Sequence, residues 1–514
     1  MKLTKYLVPL TAIMLTTVAT LQKPSTVSAN EIKENIDQIS TVEIEGQTYR
    51  FLPSWAKQEE NDGDVITKVG SKIPTIFITT QSGDLTYIHE DKSNREKVEF
   101  LFVDEDGNIE HSGSGDMNGR GNSTWGYDKR PYNFRLESGV KMPLYGMGEG
   151  RHWSLLANYI DGTKVRNNIT LNLAQEMGIA FTSQIRPVDI YINNEYMGIY
   201  DLVERRNLNH AVHLVDLEKA TEKVNDNDLE DYDHVGTHES IPNTIKYFDI
   251  PNNPEDITGG YLMELELVGR YMTAPSGFVS SRGQSVNLEN PEIATKEQVE
   301  YISSLYQTME DAIYSPEGYN EAGTHFSELI DIESFAKMYI LQEFVMNVDA
   351  SRTSFFLIKE SDLVGDGKIH AAVPWDFDNI MGVTAMDRDV DLRNPTNWWV
   401  NNMTMDDSNI TPSPNRPNIL ARLFMHDEFY EVVETIWQDE FTPIFEAFSI
   451  EMYQELIEDS RIMDELVWGE PEEQVMDIVA FANERFAFLD GYFGKDADNG
   501  QIKRLMWGED NELN

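Results

Sequence analysis

The chain has 514 residues, of which 40% are apolar and 11% aromatic; that is more buriable surface than a disordered protein carries. Asp and Glu number 89 against 41 Lys and Arg, a formal net charge of −48, and a body that acidic repels phosphate backbones and anionic lipid, so no nucleic-acid partner is expected. The absence of cysteine excludes disulfide scaffolds, thiol catalysis, cysteine-bound zinc and iron–sulfur clusters.

Lys2 and Lys5 precede an apolar run from Tyr6 to Leu21, and Val27-Ser28-Ala29 offers a small-x-small cleavage site before Asn30. Residues 1–29 therefore read as a signal peptide, cut after Ala29. Threonines dilute the run, and its purely apolar stretches fall short of the ~20 residues a bilayer span needs. No later segment is apolar enough to span, so a secreted product is expected, and a cysteine-free secreted chain fits a bacterial source.

Residues 30–72 read as an N-terminal β extension, with strands at 41–45 and 47–51 around a turn at Gly46. Strands follow at 73–80 and 98–103, and at 132–136, where Tyr132, Phe134 and Leu136 share one face. A helix is predicted over 164–177, ended by Gly178. Segments 184–192 and 195–204 form a hairpin about Asn193-Asn194, a pair that tolerates positive φ. Another strand covers 259–267.

From Lys296 the period becomes helical. Helices are predicted at 298–314 and at 332–346, the second capped by Asp331, and two strands then flank the turn Gly365-Asp-Gly367. Beyond Asn418 the chain is mostly amphipathic helix: 419–425, 428–449, 452–466 and 472–492. The fold class is α+β, with a strand-rich N-terminal part and a helix-rich C-terminal part. Segments 221–257, acidic and proline-bearing, and 387–417, with Trp398 and Trp399, read as long loops.

Common catalytic signatures are missing: there is no G-x-S-x-G elbow, no Walker A loop and no H-E-x-x-H. His210 with His213 and His234 with His238 have spacings open to metal binding, but their loop composition favours turn and surface histidines. The acidic run Asp226, Asp228, Glu230, Asp231, Asp233 lacks the calcium-loop pattern and reads as a solvated loop.

Two constellations stand out. Gly113 to Gly126 is glycine-rich and runs into Lys129, Arg130 and the strand carrying Arg135. Such a loop can lay backbone N–H groups and cationic tips along phosphates, or serve as a plain hairpin connection. In the second, a helix ends in Asn347-Val-Asp349, and Trp375-Asp376-Phe377-Asp378 follows. On an extended strand Asp376 and Asp378 would face one side, which is unfavourable unless a cation or donors sit between them. Magnesium or manganese suits that pair; the alternative is one Asp capping a turn and the other solvated.

Arg120-Gly-Asn-Ser-Thr-Trp125 with Lys129-Arg130-Pro-Tyr132, then Asp161, Arg166, Tyr191-Ile-Asn-Asn-Glu-Tyr-Met-Gly-Ile-Tyr200, Glu204, Gly259-Gly-Tyr-Leu-Met-Glu264, Asn347-Val-Asp349 and Trp375-Asp-Phe-Asp378, in this order over about residues 75–440, resemble the spore coat protein H (CotH) family of atypical, secreted or coat-associated protein kinases. The resemblance implies a divergent protein-kinase-like fold: 73–295 as its strand-rich nucleotide-binding part, 296–440 as its helical catalytic part, and 441–514 as a C-terminal helical region. It implies ATP and Mg²⁺ or Mn²⁺ as cofactors, and transfer of phosphate to Ser or Thr of an extracellular or spore-coat protein. In kinase logic Asp349 takes the catalytic-loop role, and Asp376, with Asp378 beside it, takes the metal role. Arg120, Asn122, Ser123, Lys129 and Arg135 become nucleotide or phosphate contacts, and Glu204 a partner orienting one of the basic groups.

One position departs from the pattern. Five residues after Asp349, where kinases carry a metal-binding Asn, this chain has Ser354, a shorter and weaker metal ligand. A catalytically degenerate, kinase-like binding protein is therefore the alternative. A third reading is carbohydrate chemistry, from paired carboxylates near Trp375, Trp398 and Trp399, although glycosidase carboxylates need environments that push their pKa values apart. The acidity of the chain points to a basic acceptor region or to a salty environment.

Overall fold

A computed structural model describes residues 36–56, 64–204, 214–225, 228–350, 352–383, 393–402, 418–469, 474–495 and 497. The expected signal peptide, His210, His213 and Asp226 lie outside them. Among the described residues no helix is long and apolar enough to cross a membrane. The chain mixes helices with strands, as the α+β reading expects.

Strands β1 (Thr41–Ile44), β2 (Gln47–Leu52) and β3 (Val65–Val69) make a small sheet. Next come β4 (Thr75–Thr80), β5 (Arg95–Val103), β6 (Ile109–Gly119) and β7 (Tyr132–Leu136). A short ladder of β8 (Met142–Pro143) and β9 (Glu149–Gly150) precedes β10 (His152–Leu156), β11 (Ile185–Ile192) and β12 (Glu195–Glu204). The order β10-β12-β11-β4-β5-β6-β7 closes into a barrel through the β10–β7 pair. Period-2 alternation explains its filling: Ile76, Phe100, Phe134, Trp153, Ile190 and Leu202 belong to one buried cluster. On the other face, Phe77, Leu101, Tyr191 and Tyr196 pack with Phe51 and Leu52 of the small sheet. The hairpin between β11 and β12 turns on Asn193 (φ +50°) and Asn194 (φ +68°), the left-handed pair the sequence predicts.

A second, antiparallel sheet has the order β13 (His234–Gly236), β14 (Thr244–Phe248), β16 (Gly277–Val279), β17 (Ser285–Asn290), β15 (Tyr261–Glu266), β18 (Phe355–Lys359), β19 (Ile369–Ala372). The β15–β18 pairing draws strands into this sheet from both sides of residue 295.

Helix α1 (Arg166–Glu176) follows β10, and α2 (Leu217–Asn225) follows β12. Helices α3 (Lys296–Tyr314) and α4 (Ile332–Val345) pack on the second sheet, beside α5 (Ile419–Phe424) and α6 (Asp427–Ile436). The long C-terminal helices are α7 (Ile450–Trp468) and α8 (Ile478–Phe493). Asp331 caps α4 by accepting the Ser334 N–H at 2.8 Å.

Three expectations need correction. Segment 221–257 is not an open loop: the end of α2, β13 and β14 lie within it, because Ile245 and Tyr247 pack against the main core. The glycine-rich stretch from Gly113 is strand as far as Gly119, since the glycines let β5, β6 and β7 approach closely. Asp376 and Asp378 do not sit on a strand: β19 ends at Ala372, and Asp376 takes φ +67°. Of segment 387–417 only 393–402 is described; there Trp399 is buried and Trp398 packs on Phe424, Phe488, Tyr492 and Phe493.

Candidate active-site cleft

A cleft of about 680 Å³ opens between the barrel and the second sheet. Its barrel wall begins where β6 ends. Gly121 has φ +85°, and a Cβ there would collide with the Thr124 hydroxyl, so the turn needs glycine. Lys92 Nζ donates to the Gly121 carbonyl at 2.8 Å and to Asn122 Oδ1 at 3.1 Å, which fixes the loop against the preceding strand connection. Arg120, Asn122 and Ser123 all line the cleft.

Lys129 lines it too, but its side chain is fully buried. Its ammonium donates to Asp464 of α7 and to the Ile199 carbonyl at 2.5 Å, and lies 4.6 Å from the Tyr200 ring centre. Burial pushes its pKa down to about 8, against the pull of the Asp464 carboxylate, with Lys164 lowering it further. Asp464 also meets Lys164 Nζ at 3.2 Å.

The floor is built from two breaks in regular structure. After α4, Met346 takes φ +53° and reverses the chain. The Asp349 N–H then donates to Asn347 Oδ1 at 3.0 Å. The second break follows β19, where Val373 (φ +53°) and Asp376 (φ +67°) are both left-handed; for β-branched Val373 this is a strained backbone. Arg166 holds the continuation. Its guanidinium is buried, pairs with Asp161, and donates to the carbonyls of Ile380 at 3.1 Å and Met381 at 3.0 Å. Asn167 Oδ1 accepts the Phe377 N–H at 2.9 Å. Asp161 and Arg166 thus place the loop that carries Asp376 and Asp378.

Asp349, Ser354, Asp376 and Asp378 all line the cleft. The Ser354 hydroxyl donates to Asp376 Oδ2 at 3.2 Å, and Asn379 Nδ2 donates to Asp378 Oδ1 at 3.0 Å. Burial, then the charges of Asp376 and Asp349, push the Asp378 carboxyl well above the usual range; Arg120 opposes them. The Arg120 guanidinium lies 5.4 Å from the Trp375 ring centre, spanning the cleft beside the carboxylates.

A donor set of carboxylate, hydroxyl and amide oxygens, without imidazole or sulfur, fits magnesium or manganese. A buried carboxylate crowded by two like charges is also what a divalent cation would relieve. The three carboxylates alone do not gather within 4.8 Å of one another: among the described residues, the His, Asp and Glu side chains that do are Asp331, Asp366 and His370, away from this cleft. There Asp331 caps α4, and Asp366 accepts both the Lys368 N–H and a His370 hydrogen bond, so the trio has a structural account.

Two predicted site residues lie outside the cleft lining. Arg135 pairs with Asp116 at 2.7 Å on the outside of the barrel, and Glu204 ends β12 opposite Trp153. The partner of Lys129 is Asp464, a residue no short-range pattern marks, since 335 positions separate the two. Sequence reasoning quoted Glu264 but gave no site role to it or to the rest of the third wall: Glu266 of β15, Glu289 of β17, Arg270 and Thr353. Glu266 accepts from the Thr353 hydroxyl and meets Arg270 at 3.3 Å; its burial raises its pKa to about 7. Alternation along β15 was the available signal, with Glu264 and Glu266 on one face. His234 and His238 stack with ring centres 4.6 Å apart, and His234 Nε2 bonds the Pro275 carbonyl at 3.1 Å.

No curated protein matches the chain. A family model described as CotH kinase protein matches residues 117–489, a stretch that holds the Arg120 wall, the Asp349–Asp378 floor, α7 and most of α8, and the chain therefore belongs to the CotH kinase protein family.

Proposed function

We propose that this protein is a secreted or spore-coat-associated atypical protein kinase that transfers the γ-phosphate of ATP to Ser or Thr hydroxyls of a coat or extracellular protein. The observation that carries this reading is the shared cleft. The loop bearing Arg120, Asn122 and Ser123 faces Asp349, Asp376 and Asp378 across a volume suited to a nucleotide. Asp376 and Asp378, with Ser354 beside Asp376, would hold Mg²⁺ or Mn²⁺. A bound divalent ion would neutralise phosphate charge during transfer. Arg120 and the loop N–H groups orient the phosphates, and Asp349 accepts the proton of the acceptor hydroxyl. Arg135 and Glu204, outside the cleft, have no part in this proposal.

The test is calorimetric ATP binding with and without Mn²⁺ on the mature chain and on Asp376→Asn, followed by transfer of labelled phosphate. Asn keeps the left-handed backbone accessible, so the thermal midpoint should move little. Binding should need Mn²⁺ and weaken by about tenfold or more in the variant, in line with the loss of a charged ligand. No binding under any metal would overturn the reading. Ser354, in place of the amide that kinases use, favours the second reading of a non-catalytic, ligand-binding relative; nucleotide binding without any phosphate transfer or ATP hydrolysis would select it.

A further inference from the structure

Segment 393–402 carries two tryptophans that the proposed chemistry does not use. Trp399 is 2% exposed, and both of its N–H groups are engaged at the base of the cleft floor. Its indole N–H donates to the Asn347 carbonyl at 2.6 Å, and its backbone N–H donates to Glu343 Oε1 at 2.8 Å, so both of its donors are used. The Val400 N–H takes the other carboxylate oxygen, Glu343 Oε2, at 2.7 Å. Glu343 is itself locked by Arg485 of α8, whose guanidinium donates to the Glu343 carbonyl at 2.6 Å and to its carboxylate at 2.5 Å. The same guanidinium donates to the carbonyls of Pro395 at 2.9 Å and Asn397 at 2.5 Å. The ion pair is fully buried, so both charges depend on these partners.

The contact at Asn347 matters because of what Asn347 does next. It follows the left-handed Met346 at the end of α4, and its side chain receives the Asp349 N–H. Within the reversal the Met346, Asn347 and Val348 N–H groups donate to the carbonyls of Glu343, Gln342 and Asn379, and the Ala350 N–H reaches the Asn347 carbonyl at 3.3 Å; the Trp399 indole is the shorter donor on that carbonyl and the one that comes from outside the turn, so it ties the turn to segment 393–402.

We infer that Trp399, seated on the Glu343–Arg485 pair, is a positioning residue: its indole N–H holds the Asn347 carbonyl and thereby sets the orientation of Asp349 in the cleft. This rests on the role proposed above for Asp349, but the placement of the segment can be measured without it. Trp399 touches neither substrate nor reacting atoms in this account.

The experiment uses the mature chain with Trp399→Phe, which keeps the ring and removes the N–H. Tyr492→Leu serves as a control that loosens the same aromatic layer through Trp398. Hydrogen exchange is read at residues 346–350, together with the thermal midpoint, and kcat and KM for ATP are measured where transfer occurs. The variant should show exchange at 346–350 faster by about tenfold or more, the scale of one lost buried hydrogen bond. It should show kcat reduced by a similar factor with KM for ATP nearly unchanged, while Tyr492→Leu at equal or greater loss of thermal stability changes neither. Unchanged exchange at 346–350 in Trp399→Phe would overturn the inference, as would an equal effect in Tyr492→Leu. A wild-type chain that transfers no phosphate would overturn the proposed kinase function instead, and the exchange data would still decide the role of Trp399. Should Trp399→Phe not fold, exchange of the Trp399 indole N–H is followed in the wild-type chain alongside the 346–350 amides: joint protection supports the inference, and an indole that exchanges freely while those amides stay protected overturns it.

Discussion

Ser354 illustrates how much one backbone angle constrains a site. It has φ +52° and donates to Asp376 at 3.2 Å. Serine gains nothing special in the left-handed region, whereas Asn and Asp populate it more readily because their short polar side chains bond locally. Kinases place Asn at the corresponding step, where its carbonyl serves a metal. The two facts combine into one expectation: Ser354→Asn should hold or slightly raise the thermal midpoint, by up to about 1 kcal/mol of stability, and should tighten Mn²⁺ binding several-fold by calorimetry. A variant that binds Mn²⁺ no better than wild type would show that Ser354 lies outside the ligand set. Asp376, also left-handed, obeys the same rule, which is why Asn rather than Ala is the informative replacement there.

At the scale of elements, the sequence was most legible where periodicity and local turn chemistry agree. The β11–β12 hairpin is the clearest case. The turn pair Asn193-Asn194 marked the hairpin and alone connects its two strands; the structure adds that Asn193 Oδ1 accepts the Thr80 N–H at 2.9 Å, tying the turn to β4. Asn193→Ala should therefore cost about 2 kcal/mol, from a left-handed alanine and a lost hydrogen bond together, measured by denaturant unfolding; a loss below about 0.5 kcal/mol would mean the turn relaxes. Legibility fails where a residue's neighbours come from far along the chain. Asp376 and Asp378 were placed on a strand because alternation is the default for an extended run. Instead Arg166 and Asn167 of α1 hold the segment that follows β19, and they lie more than 200 positions earlier. Lys129 was likewise marked as a cation for phosphate, without its burial against Asp464. The cleft's carboxylates were readable as residue types; their geometry depends on buried long-range hydrogen bonds that have no periodic signature.

For the whole molecule, α7 is one of the elements that tie the barrel to its surroundings, and it does so through buried ionisable groups. Ser460 donates to Asp189 of β11 at 2.8 Å, and Tyr196 donates to the same carboxyl at 2.9 Å. Asp464 pairs with Lys129 and Lys164. Farther round the barrel, Asp201 of β12 receives Asn158 at 2.6 Å. Burial raises both Asp189 and Asp201 to about 7; their hydrogen bonds oppose the shift without cancelling it. The sign for stability follows. In the unfolded chain each carboxyl releases its proton near the ordinary value of about 3.9, whereas the folded protein keeps it until about 7. Between those values the folded state binds more protons, so stability falls as pH rises, by at most about 1.4 kcal/mol per pH unit for each group. Self-repulsion of a chain with formal net charge −48 acts in the same direction as its surface carboxylates ionise, so the two contributions must be separated. Asp189→Asn does this: the amide mimics the protonated carboxyl and leaves the surface charge almost unchanged. Denaturant unfolding from pH 5 to 7 should show a shallower decline in the variant than in wild type, with the two curves closest at pH 5 and the variant more stable at pH 7. Parallel curves would mean that Asp189 is ionised throughout and that α7 is held by an anion rather than by a neutral acid.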